Sequence, residues 1–338
     1  MPLLSVPFHA TRQSLYSWKE LQDGFDPLDK KSFRNVLDFR IYRHYALSGF
    51  GAADATTNIG ESLHDGCILK AALDFLSKYQ KVVAIMGGHD LPRNGAAYAQ
   101  VVNLAQQLAK SEFLIASGGG PGAMEAAHLG ALMKNSSDAD VAAALAELSS
   151  APNLPDTRNI IDLTTGAIDE KIEGQMHDWF APAASIMAKL PSPEISLAVP
   201  TWQYGNEPFM PFATHVAKYF QNSIREDGLL ALAAGGIVFA RGKSGTLQEV
   251  FQDAAKNYNH SFNGKFAPMV FLDEDYWKKT LPVESTLAAL FRANGRGKEY
   301  DERVLFTNSI DQAVSHIQKF FEPQKTLVTR WQAKFSLR

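Results

Sequence analysis

Residues 81–122 read KVVAIMGGHDLPRNGAAYAQVVNLAQQLAKSEFLIASGGGPG, and this stretch decides the fold. Lys81–Met86 is a short β-branched run closed by Gly87-Gly88, and Glu112–Ala116 is a second apolar run closed by Ser117-Gly118-Gly119-Gly120-Pro121-Gly122. Between them, Gly95–Lys110 carries apolar residues at helical spacing. Strands without polar alternation, joined through a helix, predict a parallel pair buried on both faces. The alternation continues. Ala123–Lys134, Phe212–Glu226, Thr246–Tyr258 and Asp311–Phe321 read as helices, and Ile195–Val199, Gly236–Ala240, Phe266–Asp273 and Arg303–Thr307 read as strands. The expected class is α/β, a doubly wound parallel sheet over 81–322 with helices on both faces. Residues 1–80 read as an N-terminal helical extension, with helical spacing in Lys31–Tyr45 and Cys67–Tyr79 and a small polar loop over Gly49–Asn58. Residues 135–194 interrupt the alternation with an Ala-rich helix, Ala139–Leu148, and a proline-containing loop, and read as a helical insertion or cap; 323–338 reads as a tail.

Composition narrows the classes of function. Of 338 residues, 46% are hydrophobic and 20% charged, which suits a large core and not a disordered chain. Lys+Arg is 33 against Asp+Glu 36, a net charge of −3, so global charge gives no argument for nucleic acid or an anionic membrane. Cys67 is the single cysteine, which excludes an internal disulfide and a Cys-rich zinc site and favours a reducing, cytoplasmic setting. The longest apolar run, Gly228–Ala240, is too short to span a bilayer, and Met1-Pro2-Leu3-Leu4 lacks the basic start of a signal peptide. The nine histidines show no metal-binding spacing, so no metal and no cofactor is expected.

Two glycine clusters carry the chemistry. In Ser117-Gly118-Gly119-Gly120-Pro121-Gly122-Ala123-Met124-Glu125, bare backbone before a helix N-terminus can approach a phosphate; the competing reading is a tight turn with Pro121 at the first helical position. Gly118-x-Gly120-x-x-Ala123 only weakly fits a dinucleotide fingerprint, because it follows the second strand. The second cluster is Arg241-Gly242-Lys243-Ser244-Gly245-Thr246-Leu247-Gln248-Glu249. A P-loop would need glycine where Ile237 stands, which rejects an ATPase. Thr246-x-x-Glu249 also matches a capping box, which would occupy both side chains without a ligand. His89, Arg93 and Tyr98 after the first strand either line a base pocket or form a loop, and Trp202 and Tyr204 either stack on a base or pack in the core.

Together, 117–125 and Gly245-Thr246-Leu247-Gln248-Glu249 resemble the paired motifs GGGxxGxM and PGGxGTxxE of the Lonely Guy (LOG) family, a Rossmann-like group long labelled lysine decarboxylase-like. The form of Gly118–Ala127 looks closer to the longer bacterial nucleotide 5′-monophosphate nucleosidases, and the likeness runs from about Lys81 to Phe321 outside 135–194. The resemblance implies a phosphoribohydrolase that cuts the base from a nucleoside 5′-monophosphate, acting as a homo-oligomer. It places the motif glutamate on Glu249 and the family's arginine on Arg225, with phosphate and nucleotide contacts from Gly87, Gly88, Ser117, Gly118, Gly119, Gly120, Gly122, Met124, Glu125, Gly242, Lys243, Ser244, Gly245 and Thr246. Without the resemblance, Arg225 reads as an exposed helix arginine paired with Glu226 or Asp227. Where the family has Pro-Gly-Gly, this chain has Arg241-Gly242-Lys243. The alternative reading is therefore a nucleotide sensor or carrier of the same fold that lacks catalysis. The old decarboxylase label would need a pyridoxal phosphate lysine, for which Lys243 has no further support.

Overall fold

A computed structural model describes residues 6–51, 54–190, 193–204, 208, 210–259 and 266–321; the tail assigned to 323–338 lies outside them. Eight strands form one sheet: Tyr16–Ser17 (β1), Val82–Met86 (β2), Leu114–Ser117 (β3), Ser196–Ala198 (β4), His215–Val216 (β5), Ile237–Phe239 (β6), Met269–Leu272 (β7) and Val304–Thr307 (β8), in the order β1-β5-β4-β3-β2-β6-β7-β8. Every neighbouring pair is parallel except β1 with β5. The helices are Trp18–Leu21 (α1), Leu37–Leu47 (α2), Ala55–Leu76 (α3), Ala96–Lys110 (α4), Ala123–Leu132 (α5), Asp138–Leu148 (α6), Glu170–Lys189 (α7), Asn222–Leu232 (α8), Ser244–Tyr258 (α9), Glu284–Arg292 (α10), Gly297–Arg303 (α11) and Ile310–Phe320 (α12). No described helix is long and apolar enough to cross a membrane.

Alternation along the strands divides the apolar residues between two cores. Val82, Ala84 and Met86 of β2 join one, with α3, α8, α9 and α10; Val83 and Ile85 join the other, with α4, α5, α6 and α12. Both faces being covered is why the strands read as unbroken apolar runs. The α/β Rossmann-like architecture expected from the sequence is what the chain adopts. From β2, successive strands β3, β4 and β5 extend to one side and β6, β7 and β8 to the other. The winding reverses between β2 and β6, and a crevice outside the carboxyl ends of those strands is where such sheets take ligands.

Two expectations need correction. The helix placed over Phe212–Glu226 is instead the strand His215–Val216 followed by a helix that starts at Asn222. Leu197 pairs with His215 in parallel, and Thr214 Oγ1 donates to the Ser196 carbonyl at 3.1 Å while accepting from the Ser196 amide at 2.9 Å. That pairing, with a β-branched Thr-His-Val run, outweighs helical spacing. Residues 1–80 are also more than a helical extension. Tyr16–Ser17 adds an antiparallel edge strand, and Tyr16, Leu21, Phe33, Phe39 and Tyr45 bury in the same core as Val82 and Phe239.

Buried polar contacts tie this N-terminal segment to the chain that leads into α8. Asp38 Oδ1 accepts from Trp202 Nε1 at 2.9 Å and from Lys218 Nζ at 2.7 Å. The Asp65 carboxylate accepts the backbone amides of Phe220 at 3.0 Å and Gln221 at 2.8 Å. His64 bridges from Asp65, at 3.1 Å, to the Tyr16 hydroxyl, at 2.8 Å. An alanine at position 65 would strip two amides of their acceptor. Asp65→Ala is expected to destabilise the fold by roughly 3 kcal/mol, read as a lower midpoint in urea unfolding; an unchanged midpoint would contradict the anchoring role.

Candidate functional site

At the carboxyl ends of β2, β3 and β6, three turns interlock. The Ala240 amide donates to the Met86 carbonyl at 2.8 Å, the Gly88 amide to Arg241 at 2.8 Å, and the Ala123 amide to Gly88 at 3.0 Å. There is no room for side chains: a Cβ on Gly122 would stand 2.4 Å from the Gly88 carbonyl oxygen, and one on Gly242 would stand 2.1 Å from Thr246 Oγ1. Gly122 also sits at φ +68, where residues other than glycine are strained.

Beside these turns opens a cleft of about 440 Å³. Of the sequence-predicted residues, Gly87, Gly88, Met124, Arg225, Lys243, Ser244, Gly245, Thr246 and Glu249 line it. His89 and Tyr204, each read from the sequence with two alternatives, line it too, and the structure adds Asp90, Glu226 and Gln248.

The start of α9 sets the geometry. The helix begins at Ser244, its N-cap Lys243 makes no side-chain cap, and so Thr246 and Glu249 form no capping box. Ser244 and Gly245 are exposed, and the first-turn amides face the cleft edge as an anion-attracting end. The earlier start carries Glu249 into the second turn. There its Oε1 lies 3.9 Å from Nη1 of Arg225, a residue of α8, and both side chains are mostly buried. Arg225 Nε donates to the Val199 carbonyl at 3.1 Å, which aims the guanidinium. A Cβ on Gly118 would stand 2.4 Å from Arg225 Nη2, so this glycine makes room for the arginine. Glu226 accepts from Asn222 Nδ2 at 2.6 Å and from Gln248 Nε2 at 2.9 Å, joining α8 to α9 along the wall.

Both cations of Arg241-Gly242-Lys243 are engaged. Lys243 pairs with Asp90 at 2.5 Å across the mouth. Burial pushes the Asp90 carboxyl up, but the Lys243 ammonium outweighs it and holds it below its ordinary range. Arg241 pairs with Asp273, and the Tyr276 hydroxyl donates to the Gly242 carbonyl.

Several predicted contacts lie behind the wall instead of on it. Ser117, Gly118, Gly119, Gly120, Gly122, Glu125 and Gly242 are buried and do not line the cleft. Glu125 is fully buried and held by Arg93 through Nε at 2.9 Å and Nη2 at 2.6 Å, with the Tyr98 hydroxyl at 3.0 Å. Arg93 also donates to the Trp179 carbonyl at 2.6 Å. Glu125, Arg93 and Tyr98 thus form a dry clamp between α5, α4 and α7, not a base pocket. Pro121 precedes the N-cap Gly122 and is not a helical residue. Trp202 belongs to the core, whereas Tyr204 lines the cleft. Ser117 Oγ accepts from the Gly119 amide at 3.0 Å and meets His128 Nε2 at 2.8 Å, while His128 Nδ1 meets Ser196 Oγ at 3.0 Å.

Burial lowers the His128 imidazole from 6.5 to about 3. Between those values the unfolded chain binds a proton that the folded chain refuses, so stability falls as pH drops through this window. Acidification from pH 7 to pH 5 should cost about 2 kcal/mol through His128 alone. Unfolding curves at both pH values would show it, and His128→Gln should lose that part of the dependence. Gly122→Ala meets backbone and should cost about 2 kcal/mol or more. Gly118→Ala meets only the ends of Arg225 and Met124, which can yield, and should cost under about 1 kcal/mol; thermal melts compare the two. A scan against protein-family models finds no match for this chain, and a search of curated proteins finds none either, so the geometry of the cleft carries its reading.

Proposed function

We propose that the chain is a nucleoside 5′-monophosphate phosphoribohydrolase, which hydrolyses the N-glycosidic bond to free base and ribose 5-phosphate. The observation that carries this reading is the approach of Arg225 and Glu249 to 3.9 Å, from separate helices, in a cleft edged by the α9 N-terminus. In this reading the phosphate sits on the first-turn amides around Ser244–Thr246 and draws Lys243 away from Asp90. Arg225 fixes the ribose phosphate against the carboxylate. As the C–N bond breaks, its electron pair leaves with the base, and positive charge grows on the ribose ring. Glu249 faces that charge and orients the water that adds to the anomeric carbon, taking a proton from it.

A sensor without catalysis is the second reading. It is favoured by the pairing of Lys243 with Asp90 and of Arg241 with Asp273, which leaves those cations already neutralised. One experiment separates the two. Purified protein is incubated with a panel of nucleoside 5′-monophosphates, and free base and ribose 5-phosphate are assayed by chromatography. The enzyme reading expects release by the wild type and a loss of roughly two to four orders of magnitude in Glu249→Gln, with nucleotide binding kept. Gly118→Ala, by displacing Arg225, should lose roughly a hundredfold in turnover while remaining folded. Binding without release from any nucleotide would favour the sensor, and no binding would reject both.

A further inference from the structure

A second cavity, of about 550 Å³, is lined by Asn222 and shares Glu226 with the cleft. Its polar floor is unusual. Glu61, on α3, is 4% exposed, and no hydrogen bond or ion pair reaches its carboxylate among the described residues; Oε1 is fully shielded and unpartnered. The buried Oδ1 of Asn222 also lacks a donor. Leaving a buried carboxylate unmatched costs free energy, and such acceptors are normally satisfied. Burial, and then the nearby Asp65 and Asp54 carboxylates, push the Glu61 carboxyl up to about 7. That is the signature of a charge without a counter-ion.

The rest of the lining fits one kind of counter-ion. Glu226 supplies a second carboxylate, and among the described residues no Lys, Arg or His lines the cavity. Tyr45, Phe50 and Phe220 flank it, with the Tyr45 ring 5.5 Å from Phe50 and 5.2 Å from Phe220 between centroids. A divalent metal would want more oxygen ligands than two separated carboxylates give. Carboxylates beside aromatic rings suit an organic cation, which gains from both. We propose that this cavity binds a small primary alkylammonium ligand, with Glu61 as its counter-ion, the Asn222 amide oxygen as a second acceptor and the Tyr45 and Phe220 rings along its methylene chain.

The test is calorimetric titration of the intact protein with 1,4-diaminobutane, which is independent of what the cleft turns over. Saturable binding is expected, with butane-1,4-diol and magnesium chloride each at least about tenfold weaker, and Glu61→Gln weakened by at least about tenfold. Because Gln keeps the size and removes an unmatched charge, Glu61→Gln should melt at or above the wild-type temperature. No saturable binding at millimolar diamine, equal binding of the diol, tighter binding of magnesium, or unchanged diamine binding in a folded Glu61→Gln would each overturn the proposal. Should the variant fail to fold, the diol comparison on the wild type still decides whether charge governs the cavity.

Discussion

Three chain reversals have to share one point, and the molecule is arranged around that constraint. The Gly88 amide reaches the β6 turn and the Gly88 carbonyl receives the first amide of α5, so a single residue joins the ends of β2, β3 and β6. Only bare backbone allows such an approach. With the turns locked, α9 starts from a fixed origin, and the Arg225–Glu249 pair forms where α8 is brought against it. Glycine here serves protein packing first. The cleft is what remains beside the packed turns.

Support for the site comes from segments that lie far away in sequence. The clamp of Glu125 by Arg93 is almost fully buried, and Arg93 reaches beyond it to the Trp179 carbonyl of α7. A pair of this kind contributes little net energy compared with apolar packing, yet losing one partner leaves a buried charge alone. It therefore fixes arrangement more than it adds stability, holding α7 against the back of the glycine turns. On the opposite face, Asp38 and Asp65 do the same for the chain between β4 and α8.

The parallel sheet was legible because its strands are buried on both faces, so Lys81–Met86 and Gly236–Ala240 carry a pattern that survives without neighbours. Arg225 and Glu249 were singled out through the resemblance, because spacing alone reads Arg225 as an exposed helix arginine; the structure instead buries it beside Glu249 in one cleft. The two-residue strands were not legible: Tyr16–Ser17 is defined by His215–Val216, about two hundred residues away, that strand also by Ser196–Ala198, and neither has a period of its own. Glu125 misled for a related reason. Its place after a glycine turn suggests a ligand contact, and only the fold reveals Arg93 facing it. Asp90, Glu226 and Gln248 carry no motif spacing; they enter the cleft because the elements that hold them converge there.

The bond between Asp65 and the Phe220 amide closes a loop of 155 residues, and that between Asp38 and Lys218 a loop of 180. Contacts so distant along the chain have to wait for the intervening sheet, because the entropy of closing such loops is lost before the bonds repay it. The α4–α5 side can form from local contacts, but the path into α8 cannot. Arg225 depends on contacts of that kind, and without them the glycine turns lack the arginine that opposes Glu249. A ligand that needs both groups recognises only the finished molecule, and its whole binding energy then counts toward keeping the native state populated.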